Sequence, residues 1–180
     1  MGLKIEDIGL ILIDVQEKLF SKIFQSEELE KALLQTLTTF QILNIPIILT
    51  EQYPRGLGPT ISSVKNKIKQ ITPFEKLSFS VLQDVEVEKT ILSYKKSAWV
   101  LIGIESHICI LQSAIDLTKK CDDVIVLEDA VSSRNPRHKK IALEEMRKKN
   151  IRITCLETLL FELLGNAKHS KFKEISHHLR

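Results

Sequence analysis

The chain has 180 residues, of which 43% are hydrophobic and 27% charged, and its formal net charge is +3. That length suits a single domain, residues 1–180, with a substantial core, and so small a charge implies no polyanionic partner, so nucleic acid is not expected. No apolar window approaches the ~20 residues that cross a bilayer, which excludes a membrane-spanning class.

The first apolar run, Gly9–Ile13 ("GLILI"), predicts a strand that ends at Asp14. "SEELEKALLQTLTTFQIL" predicts a helix, with Ser26 as its N-cap and apolar residues recurring at Leu29, Leu33, Leu37 and Phe40. Ile45–Thr50 is the next strand, and Phe74–Phe79 ("FEKLSF") a less regular one. Ala98–Ile104 ("AWVLIGI") predicts a long strand, and "HICILQSAIDLTKK" a helix capped by Ser106. Strand Val124–Leu127 follows, then a helix with Asn135 at the cap, Pro136 in the first turn and Asn150 closing it. Ile151–Thr154 is the last strand, and a last helix runs from about Glu157 to Gly165.

The strands show little polar alternation, as expected of strands covered on both faces. Strands alternating with helices predict an α/β fold: a three-layer α/β/α, doubly wound, mostly parallel six-stranded sheet. In such sheets ligands bind beyond the carboxyl ends of the strands. Asp14, Lys76 and Cys109 therefore become site candidates, each from its own segment.

Each has a plain structural alternative. Asp14 follows four apolar residues, where an unpaired charge is costly; it either caps the following turn or serves a site. Lys76 either snorkels from an edge strand or holds an anion. Cys109 either packs as a small hydrophobe or sits in the first turn of the Ser106-capped helix. There the helix dipole is expected to lower its pKa. Cys121 and Cys155 read as structural. Three cysteines without C-x-x-C spacing imply neither a disulfide framework nor a zinc knuckle, and reduced thiols in a cytoplasmic setting are the expectation. The N-terminus, "MGLKIEDIGL", resembles no targeting segment.

The order Asp, Lys, Cys resembles the isochorismatase-like (cysteine hydrolase) superfamily. The matching pieces are "LILIDVQEKLF", "KLSFS", "GIESHICILQSAIDL" and "VIVLEDAVSSRNPRHKKIALEEM". "IPIILTEQYPRGLGPT" and "LLFELLGNAKHSKFKEI" are similar to the isochorismatase domain-containing proteins in particular. The resemblance implies a triad: Asp14 moving the proton, Lys76 as electrostatic partner, Cys109 as nucleophile through a thioester on a small amide or related acyl substrate. It also implies a cis Ile104–Glu105 peptide, an oxyanion hole from the Glu105 and Cys109 amides, and a homo-oligomer. Leu19, Gln52 and Phe79 fall at substrate-contact positions, with Gln52 equally able to bond the loop backbone.

Two departures matter. Nicotinamidase-type relatives carry an Asp-x-His pair after the second strand to hold a metal, whereas "TEQYPRGLG" here offers Glu51 and Gln52 without histidine, so neither metal nor other cofactor is expected. Isochorismatase proper lacks the cysteine, so Cys109 favours acyl chemistry. His107 is read as a rim or interface residue rather than as the partner of the thiol. A binding protein that keeps the fold without turnover is the alternative from another class. A flavodoxin-like nucleotide binder is disfavoured, because no glycine-rich phosphate loop follows the first strand.

Overall fold

The computed structural model describes residues 2–179. Its six strands are β1 (Ile8–Ile13), β2 (Ile47–Gln52), β3 (Phe74–Lys76), β4 (Ala98–Ile104), β5 (Asp123–Ser132) and β6 (Arg152–Thr154). All pairings are parallel, in the order β3-β2-β1-β4-β5-β6. The expected doubly wound α/β sheet is what forms. Successive strands step outward on one side of β1 and then on the other side of β4, so the winding reverses between these two.

Apolar residues on alternate faces explain the unbroken runs. Leu10 and Leu12 of β1 join a cluster with Leu33, Leu37 and Phe40 of helix α2 (Ser26–Ile42). Ile11 and Ile13 join the opposite cluster with Trp99, Leu101 and Met146. A strand buried on both sides has no position to give to solvent, and every residue of β1 and β4 is buried.

The helices are α1 (Glu17–Phe20), α2 (Ser26–Ile42), α3 (Pro54–Leu57), α4 (Ser62–Lys67), α5 (Val85–Ser93), α6 (Leu111–Leu117), α7 (Pro136–Lys148), α8 (Leu156–Leu164) and α9 (Phe172–His178). Asn135 caps α7 as expected, its side chain accepting from the Arg137 amide at 2.9 Å. Two expected caps are corrected. Ser26 lies inside α2, whose N-cap is the left-handed Gln25 without a side-chain bond. Ser106 caps nothing: Glu105 holds the cap position of a π-helical turn, Ser106–Ile110, that leads into α6. Leu159, Leu160 and Leu163 pack into the α2-side core and are not free for subunit contact.

β6 pairs only with Ile125–Leu127 of β5, which continues to Ser132 beside β4. Past that pairing Glu128 and Asp129 are exposed, and Asp129 accepts from the Leu156 amide at the start of α8 at 3.0 and 3.2 Å.

Gly103 sits where β1 and β4 come closest, with φ +116°. A Cβ there would lie 2.1 Å from the Ile13 carbonyl oxygen, so neither backbone conformation nor space admits a side chain. Gly103→Ala is expected to lower unfolding free energy by roughly 3 kcal/mol or more, measured by urea denaturation. A loss under about 1 kcal/mol would show that the two strands can part at no great cost.

Candidate active site

The three sequence candidates converge at the carboxyl ends of β1, β3 and β4, on the crevice where the winding reverses. Asp14 is fully buried at φ 53°, a conformation Asp and Asn tolerate better than other side chains. Its Oδ2 accepts from Lys76 Nζ at 2.6 Å and its Oδ1 from Thr50 Oγ1 at 2.8 Å. Both side chains of the ion pair have 0% exposure.

Lys76 does not snorkel. Its ammonium also reaches Gln52 Oε1 at 2.8 Å, the Ser78 carbonyl at 3.1 Å and the Phe79 carbonyl at 3.4 Å. A lysine buried on an otherwise edge strand thus ends in a ring of acceptors, the arrangement a desolvated ammonium needs.

Cys109 is 6% exposed, in the π-helical turn. The expected lowering of its thiol pKa is overturned. Burial pushes the thiol well up and the Asp14 charge pushes it further, against the opposing Lys76 charge. The resting group is a protonated thiol. Cys121 is likewise raised to about 11 by burial, and the Asp122 and Asp123 charges add to this.

The Ile104–Glu105 peptide is cis. The Glu105 side chain turns from the thiol to Arg134, accepting from its amide at 2.9 Å and pairing with its Nε at 3.1 Å. His107 Nδ1 lies 3.0 Å from Ser133 Oγ and its ring 4.8 Å from that of His138. Burial holds the His107 pKa down, with Glu105 opposing; its partners are on the rim rather than at the thiol.

The substrate-contact candidates fare differently. Gln52 spends its amide on Lys76 and on the Leu77 carbonyl, at 2.8 and 2.7 Å, which favours the loop-bonding alternative. Leu19 lies on α1 and packs against the α2-side core, whereas Cys109 belongs to the opposite cluster. Phe79 is 51% exposed and touches the lysine through its backbone. Glu51, on the other face of β2, binds Thr60 with Oε1. With Gln52 committed and Glu51 facing away, the residues after β2 do not fit a metal-binding set. Among the described residues no three His, Cys, Asp or Glu side chains cluster as a metal site.

Thr50 and Gln16 were not singled out from sequence. Gln16 is fully buried and ties Gln52 to the Gly58 carbonyl, donating at 3.0 and 2.7 Å and accepting from the Gln52 amide at 2.7 Å. Neither carries a local signal: Gln16 in "DVQ" and Thr50 closing an apolar run read like ordinary polar residues at strand ends. A cavity of about 650 Å³ lies elsewhere, between α2, β5 and α7, and none of Asp14, Lys76 and Cys109 lines it. Convergence of acid, amine and thiol outweighs volume in locating the chemistry.

Fold and site together define a class: a doubly wound α/β protein with a buried carboxylate–ammonium pair beside a thiol at the switch point. The chain matches the Isochorismatase domain over residues 9–158 and belongs to that family. Isochorismatase family protein 1A of Dictyostelium discoideum is 38% identical over 170 residues, covering 92% of this chain and 82% of that one. Isochorismatase domain-containing protein 2 of Xenopus laevis is 40% identical over 168 residues, covering 92% and 80%. Among solved structures, the MAR1 ribonuclease of Caenorhabditis elegans superposes with a TM-score of 0.92 at 33% identity, covering 99% of this chain and 92% of that one.

Two outcomes follow from the pair. Lys76→Met leaves a buried carboxylate without its cation and is expected to cost about 3–5 kcal/mol in unfolding free energy, read by denaturant titration. Asp14→Asn removes the negative charge that helps hold the thiol proton, so the Cys109 pKa is expected to fall. Iodoacetamide labelling of Cys109 at neutral pH, followed by peptide mass spectrometry, should therefore be faster in Asp14→Asn than in the parent. Slower labelling would mean that Asp14 activates the resting thiol instead of restraining it.

Proposed function

We propose that this chain is a single-domain cysteine hydrolase of a small amide or related acyl compound, working through a Cys109 thioester without a protein-held metal. The observation that carries the reading is the buried Lys76–Asp14 pair, 2.6 Å apart, whose carboxylate charge acts on the buried Cys109 thiol. Family membership supports a hydrolase-type fold.

In this reading Asp14 accepts the thiol proton as Sγ attacks the carbonyl carbon. Charge moves from sulfur to the former carbonyl oxygen, where the Glu105 and Cys109 amides donate. Lys76, 2.6 Å from Oδ2, keeps the Asp14 side chain in place as the proton passes. Asp14 then protonates the leaving nitrogen, the C–N bond breaks and a thioester remains. Water attacks next, giving its proton to Asp14. The C–S bond breaks, the sulfur regains the proton, and a carboxylic acid leaves. The sum is amide plus water giving acid plus amine. A base that removes the proton in the transition state is worth typically about 10²–10⁴-fold, so a preformed thiolate is not required.

Exposed Leu77 and Phe79, 75% and 51% accessible beside the lysine, suit a rim that meets substrate or a second copy in a homo-oligomer. A cytoplasmic location fits three cysteines that form no disulfide. No helix among the described residues is long and apolar enough to cross a membrane.

The second reading, a binding protein without turnover, is favoured by the same raised thiol, which is a poor nucleophile at rest. A panel of small amides decides, with RNA as an added arm because the nematode relative is named a ribonuclease. Hydrolysis is expected for a subset of amides, with Cys109→Ala lowering kcat/KM at least about a thousandfold and a chelator leaving it unchanged. Acyl-enzyme mass at Cys109 in quenched reactions is the direct check. Hydrolysis undiminished in Cys109→Ala removes the thioester; chelator-sensitive activity restores a metal; no turnover of any amide leaves the binding protein.

A further inference from the structure

Glu51 is buried to 6% exposure on the face of β2 opposite Gln52. It forms part of the wall of a cavity of about 250 Å³ with Leu49, Thr60, Ile68, Ile71 and Pro73. Carboxylate oxygen Oε1 takes both Thr60 donors, the amide at 2.7 Å and the hydroxyl at 2.6 Å. Its other oxygen, Oε2, receives no hydrogen bond from the described residues. Nor is it sealed away, since among those residues only Ser106 and Ser176 carry fully buried side-chain oxygens without a partner. Oε2 therefore keeps some access to solvent and is free to accept from an occupant. Lys65 and Lys69 also line the cavity and are exposed, and neither pairs with Glu51.

From wall to solvent the chemistry therefore runs anion, apolar, cation. We propose that this cavity binds a small zwitterion, its ammonium on Glu51 Oε2, a short branched apolar body against Ile68, Ile71 and Pro73, and its carboxylate toward Lys65 and Lys69. The site lies apart from the Asp14–Cys109 crevice and does not depend on turnover there. The volume sits below the range of about 300–1,000 Å³ usual for drug-sized ligands, which limits the occupant to something the size of an apolar amino acid. The deep contact, a desolvated charge pair, sets affinity more than the screened one at the exposed lysines.

Leucine is a direct probe, compared with 4-methylpentanoate, which lacks the ammonium, and isopentylamine, which lacks the carboxylate. Calorimetry with the full chain should show saturable leucine binding, a loss of about tenfold or more for 4-methylpentanoate and a smaller loss for isopentylamine. Amide NMR shifts should centre on Thr60, Ile68 and Ile71. Glu51→Gln is expected to erase the preference for leucine over 4-methylpentanoate. Because that substitution also disturbs the Thr60 bonds, Ile71→Trp supplies a second arm: it fills the cavity from a half-exposed position, keeps Glu51, and should abolish binding. The proposal is overturned by absence of saturable leucine binding, by unchanged binding in Ile71→Trp, or by shifts that map to the Asp14–Cys109 crevice.

Discussion

The Lys76–Asp14 pair ties the edge of the sheet to its centre. Asp14 leaves β1, Lys76 ends β3, and the ammonium reaches over β2 to bridge them at 2.6 Å. Neither side chain sees solvent, so each charge is tolerated only because the other is there. Thr50 and Gln52 of the intervening strand each add a bond, one to each partner. Replacing such a pair with matched apolar groups is often neutral or stabilising, so stability alone gives little reason to keep it. Its presence beside a thiol at a topological switch point is better explained by chemistry than by folding.

The thiol shows how competing effects are weighed. A helix start favours an anion by about 0.3–1 kcal/mol, less than a single pKa unit at 1.36 kcal/mol. Full burial can move a group by roughly 3–5 units in the opposite sense. Cys109 is nearly buried, the Asp14 charge acts on it more strongly than the Lys76 charge, and its turn is π-helical. Desolvation wins. The carboxylate whose charge helps burial keep the proton on sulfur at rest is also a base able to take it.

The layering was legible because parallel strands buried on two faces must be written in unbroken aliphatic residues; β1 and β4 are such runs, and Ala98–Ile104 ends where expected. The family-like segments put Asp14, Lys76 and Cys109 in order, and the fold brings them together. What sequence did not reveal depends on partners far along the chain. Gln16 bonds Gln52 and Gly58, separated from it by 36 and 42 residues, and Thr50 bonds Asp14 from 36 away. Nothing local distinguishes such a glutamine or threonine from a solvated one. α5 was missed although Asp84 caps it by accepting from Glu86 and Val87, because its buried face is only Val87 and Ile91. The Ser106 cap failed for a related reason: a side-chain oxygen at the right spacing is no cap when the turn closes through i→i+5 bonding, as the Ile110 amide does to the Glu105 carbonyl.

The mismatch between a ten-residue β5 and a three-residue β6 leaves part of an inner strand acting as the border of the sheet. Bare borders invite another polypeptide to dock by backbone pairing, the route to fibres and swapped oligomers. Two adjacent acids occupy that stretch, and one of them is anchored to the first turn of α8. Any incoming strand would have to bury a carboxylate and break that anchor, so the gap is defended by electrostatics where hydrogen bonding cannot close it.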